Sequence, residues 1–95
     1  MIVGTLELCL RLDGAFSLKD KRSVLRSLLD HARRDFRVSA AEVDDHDLWN
    51  SAVIGIACVS NDAAHAESTL QHVIDLFDAH PAVAVESALK QVERR

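Results

Sequence analysis

Tyrosine is absent from this 95-residue chain, and tryptophan (Trp49) and proline (Pro81) occur once each. With aromatics at 4% of residues, no aromatic interleaving for stacking bases is legible. The two cysteines, Cys9 and Cys58, lie far apart and outside any C-x-x-C motif. They therefore form no zinc or redox motif and read as small hydrophobes kept reduced in a cytoplasmic protein. No apolar run is long enough to cross a bilayer, which argues against a membrane partner. The most strand-like stretch, Ile2 to Leu12, is broken by Glu7 and Arg11 and has neither a basic leader nor a cleavage pattern, so it is no signal peptide. With neither a linker nor a low-complexity segment, residues 1–95 are expected to form one domain.

What is present is ordinary for a globular chain: 48% apolar and 27% charged residues. The net charge of −4 is unevenly spread. Residues 1–40 hold eight basic and five acidic residues (+3), and residues 41–95 hold three and ten (−7). Overall charge does not imply a nucleic-acid partner, so only a local patch could support one.

Ile2, Leu6, Leu8, Leu10 and Leu12 share one parity with Gly4, which predicts a half-buried strand ended by Asp13-Gly14. Ser17, with Asp20 three residues on, predicts a capped helix to about Asp35, with Leu18, Leu25, Leu28, Leu29 and Ala32 on its apolar face. Phe36–Val43 reads as a second strand, Asp44–Asp47 as a polar loop and Ala52–Val59 as a central strand. Ser60-Asn61-Asp62 caps a second helix carrying Ala66, Leu70, Val73, Ile74 and Phe77, stopped by His80-Pro81. Val83, Val85 and Leu89 alternate in a last strand. The order β-α-β-β-α-β, with right-handed crossovers, predicts an α+β, ferredoxin-like sandwich: a four-stranded antiparallel sheet with both helices on one face.

That topology gathers the Asp13–Ser17 loop, the start of helix one, the Asp44–Asn50 loop and the His80-Pro81 turn at one edge. Lys19, Lys21 and Arg22 stand in the first turns of helix one, where cations oppose the helix dipole. Together with the helix amides they suggest an anion or phosphate site. The plainer reading is that Asp44, Asp45 and Asp47 pair with them. Arg26, Arg33 and Arg34 extend the basic character along the helix, as an RNA backbone would require. Asp44-Asp45-His46-Asp47 fixes no coordination count, and His65 near Asp62 has no nucleophile or oxyanion hole beside it. No metal, cofactor or catalytic residue is therefore assigned. The sheet face away from the helices is expected to be apolar and covered by a second copy, with Val3, Cys9, Trp49, Ile54 and Ile56 as interface residues.

The stretches SLKDKRSVLRSLL (17–29), VSAAEVDDHDLW (38–49) and AVIGIACVSNDAAHAES (52–68) resemble, in order and spacing, the YlxP-like family of small bacterial proteins. The resemblance implies a ferredoxin-like fold. Because the family is often encoded beside genes for translation initiation and ribosome maturation, it also implies a role around ribosome or RNA metabolism. It supplies no catalytic residues to carry over. Two readings follow: a binding module acting near RNA or the ribosome, or a homo-oligomeric regulatory domain binding a small anion.

Overall fold

Alternation decides the first strand. In β1 (Ile2–Leu12) every even-numbered side chain apart from Gly4 is apolar, and the whole even face is buried. The odd face carries Val3, Thr5, Glu7, Cys9 and Arg11, none of them fully buried. The remaining elements of the computed structural model, which describes residues 1–95, are α1 (Leu18–Phe36), β2 (Ser39–Asp44), β3 (Ser51–Ser60), α2 (Ala63–Asp78) and β4 (Val83–Arg94). The sheet order is β2-β3-β1-β4 and every neighbouring pair is antiparallel. Leu6, Leu8, Ile54 and Ile56 share one core with Leu25 and Leu28 of α1 and Leu70 and Phe77 of α2. Both helices thus cover the same side of the sheet, and the other side is open.

Ser17 caps α1 as its position predicts. Its side-chain oxygen accepts from Asp20 N at 3.1 Å, and the Asp20 carboxylate reaches back to accept from Phe16 N at 3.0 Å. Two amide donors at the helix start are satisfied reciprocally, a capping box displaced by one residue. Replacing Ser17 by Ala is expected to cost about 1 kcal/mol, read as a lower urea midpoint with an unchanged slope.

One boundary and one strand face differ from the sequence pattern. Phe36, expected to open β2, closes α1. Its ring stacks between those of His31 and His72, with centroids at 6.2 and 5.9 Å. Arg37 then turns the chain in the left-handed region (φ 55°) and β2 starts only at Ser39. In β4, Leu89 does not share the face of Val83 and Val85. Cys9 pairs with Ser87 but Leu10 pairs with Val85, so Glu86 is a bulge residue without a partner. One inserted residue inverts the parity of everything beyond it. Leu89 consequently points to the open side, 61% exposed.

Candidate functional site

The first turns of α1 separate into two faces. Lys21 lies one turn before Leu25, on the stripe that faces the sheet, and is 1% exposed. Its ammonium donates to Glu42 Oε2 at 2.8 Å and to the carbonyls of Asp45 (2.8 Å), Ser51 (3.1 Å) and His46 (3.4 Å). A buried cation with its donors filled cannot recruit a ligand. The expectation that Lys21 contributes to an anion site is therefore corrected: it pins the β2–β3 loop to the helix. The expected pairing with Asp44, Asp45 and Asp47 is corrected too. Asp44 Oδ1 accepts from Asp45 N, and Asp45 Oδ2 accepts from Ser51 Oγ. The carboxylate that meets Lys21 belongs to Glu42, on β2.

Lys19, Arg22 and Arg26 occupy the opposite, exposed face. With Ser23 they line a surface depression of about 340 Å³ that has no other lining residue. Arg22 and Arg26 also border a second groove of about 250 Å³, shared with Leu25, Leu29, Arg33 and Glu42. No ion pair involves these three cations. Arg33 and Arg34, expected to continue the stripe, are otherwise engaged. Arg33 donates to the Ala40 carbonyl and contacts Asp30, while Arg34 pairs with Asp35. Ser23 is the member of the depression that charge counting misses. Its spacing to Lys19 and Arg26, one turn either way, is the signal that finds it.

The loops at this edge converge as the topology requires. Leu12 N donates to Asn50 O and Asp13 N to Ala82 O, each at 3.0 Å. Asp13 is held below its ordinary carboxylate range by the hydrogen bond from Arg11. Phe16, immediately before the cap of α1, is 82% exposed, and Trp49 is 47% exposed. Trp49 lies in the loop ahead of β3, not within the strand, so it is no part of the sheet face for which it was a candidate.

On the sheet, Val3 and Cys9 do lie on the open side, paired across to Val59 and Val53. Ile54 and Ile56 do not. Both are buried beneath the helices, and the expected interface role is corrected for them. Period two forces this, since Ile54 and Ile56 pair with Leu8 and Leu6 and must share their face. The open side holds a shallow depression of about 510 Å³ between Val43 and Leu89, floored by Thr5, Glu7, Gly55 and Ala57. A further pocket of about 180 Å³ brings His65 to Cys58. Burial pushes the Cys58 thiol above its ordinary range, which is the reverse of an activated nucleophile.

The strand order and one-sided helices define a ferredoxin-like α+β domain. Its backbone superimposes on the solution structure of a de novo designed protein, LFR1 1, with ferredoxin fold, at a TM-score of 0.59. The match has 12% identity and covers 100% of this chain and 88% of that one. Rv0793 from Mycobacterium tuberculosis aligns at a TM-score of 0.52 and 15% identity, over 100% and 95% of the two chains. Within that fold the chain belongs to the family described as protein of unknown function DUF503, which matches residues 3–89. It is 38% identical over 69 residues to the uncharacterized protein YlxP of Bacillus subtilis (strain 168), covering 73% of this chain and 75% of the relative.

Proposed function

We propose that this protein is a binding module that holds single-stranded RNA on the exposed face of α1. The observation that carries this reading is the unpaired cluster of Lys19, Arg22 and Arg26 on a chain whose net charge is negative. Helix α1 contains six cations and three acids (+3), so the rest of the molecule carries −7. An acidic protein has abundant carboxylates with which to neutralise three exposed cations, and here none does so. The three sit at about one-turn intervals, roughly 5 Å apart along the axis, a row that suits successive phosphates better than one small anion. Phe16 and Trp49, exposed on the loops at the same end of α1, supply faces on which bases can stack. The family resemblance to proteins encoded beside translation genes points the same way.

Trp49 is the sole tryptophan and serves as a built-in reporter. Titration with a single-stranded oligoribonucleotide is expected to quench its fluorescence, with an affinity that falls steeply as salt rises. The variant Lys19→Ala/Arg22→Ala/Arg26→Ala is expected to fold normally. It should lose about two units of the salt slope and bind at least about tenfold more weakly. Equal binding and equal salt dependence in wild type and variant would remove α1 as the site.

A further inference from the structure

The two edges of the sheet are finished differently. On β2, Arg33 donates to the outward carbonyl of Ala40, and His46 Nε2 lies 3.1 Å from that of Glu42. Strand β2 is also only six residues long and is interrupted at Val43. These are the devices that prevent a sheet edge from pairing with another chain. The other edge, β4, is twelve residues long, and no side chain bonds to its backbone.

The ladder shows which β4 groups are free. Met1 and Arg95 exchange both of their backbone hydrogen bonds, so Arg95 points inward to β1. Alternation then turns the N–H and C=O of Ala88, Lys90, Val92 and Arg94 outward. Leu89, between two of these residues, carries an exposed apolar side chain on the open side.

We propose that a second copy of this chain adds antiparallel along β4, with Leu89 of one copy directly opposite Leu89 of the other. The occupant is another copy because antiparallel self-pairing sets the free N–H and C=O groups of Ala88 against those of Lys90 on both sides of the axis, and leaves no like-charged pair along the ladder. In this register Lys90 faces Ala88, and Gln91 faces Ser87. Sliding the register by one step in one direction sets Lys90 against Lys90. Sliding it further that way sets Leu89 against Glu93. The capped β2 edge cannot offer the same contact, so association stops at two copies and yields a continuous eight-stranded sheet, twice the four of one copy. Because α1 lies over the β2 side of the sheet, the cationic face remains free in the dimer.

Sedimentation of the full chain at micromolar concentration is expected to give twice the 10.5 kDa chain mass. Ala88→Pro removes an outward N–H without touching the ladder to β1, and Leu89→Lys sets two cations together at the axis. Both variants should sediment as monomers with unchanged circular dichroism. Leu89→Cys, with Cys9→Ser and Cys58→Ser, should form a disulfide-linked dimer under mild oxidation. A non-hydrogen-bonded antiparallel pair places the two Cα atoms about 4.5 Å apart, within disulfide range. A wild-type monomer would overturn the proposal. So would a dimer that survives both Ala88→Pro and Leu89→Lys but is lost in Val43→Lys, which would place the second copy on the open sheet face.

Discussion

Replacing Lys21 by Met is expected to cost about 3–5 kcal/mol of folding free energy, enough to lower Tm by roughly 12 °C or more in a domain of this size. Met preserves the stem that packs beside Leu25 but removes the charge. Glu42 would then be a carboxylate at 17% side-chain exposure without its ion pair, and the Asp45, His46 and Ser51 carbonyls would lose a shared donor. The loss comes from stranding these acceptors, because the intact pair also carries a desolvation cost. The double variant Lys21→Met/Glu42→Leu is accordingly expected to be more stable than Lys21→Met alone. Urea denaturation of the two variants checks this, and a single variant within about 1 kcal/mol of wild type would refute the pinning role. Since Lys21 holds the fold, substituting it together with Lys19 and Arg22 would mix unfolding with lost binding. The α1 test therefore leaves it in place.

Gly4→Val is expected to cost about 3 kcal/mol, because the added carbons have nowhere to go. Gly4 lies on the helix side of β1, where a Cβ would meet Cys58 Sγ at 2.9 Å, Leu70 Cδ1 at 3.1 Å and Ala66 Cβ at 3.6 Å. The absent side chain lets α2 approach the sheet at Ala66. Gly55 is the control. A Cβ there would meet Val43 Cγ1 at 2.8 Å, an equally short approach. Val43, however, is exposed at the open face and can swing its methyl group away. Gly55→Ala is expected to stay within about 1 kcal/mol of wild type. Equal losses at the two positions would show that the cost lies in the strand backbone and not in the closeness of α2.

Much of the architecture was readable because its signals are local. The even parity of β1, the Ser17 and Asp62 caps and the Leu70–Phe77 stripe each determine an element within a few residues. The order of those elements leaves few right-handed topologies. The site was less legible. Lys21 stands on the stripe of Leu18, Leu25, Leu28 and Leu29, and that spacing was the available sign that it turns inward. Its charge argued for the surface, and only the Glu42 carboxylate and three backbone carbonyls, all more than twenty residues away, make its burial tolerable.

From its sequence alone this protein is determined to be a four-stranded, two-helix sandwich with a basic first helix and an acidic remainder. Periodicity and charge counts need no partner to be read. The tertiary structure alone decided which cations are free, because pairing is settled between residues distant along the chain. It also decided which face Ile54, Ile56 and Leu89 adopt. A strand apolar on both parities has no preferred side until it is paired, and a bulge inverts parity without a residue to announce it.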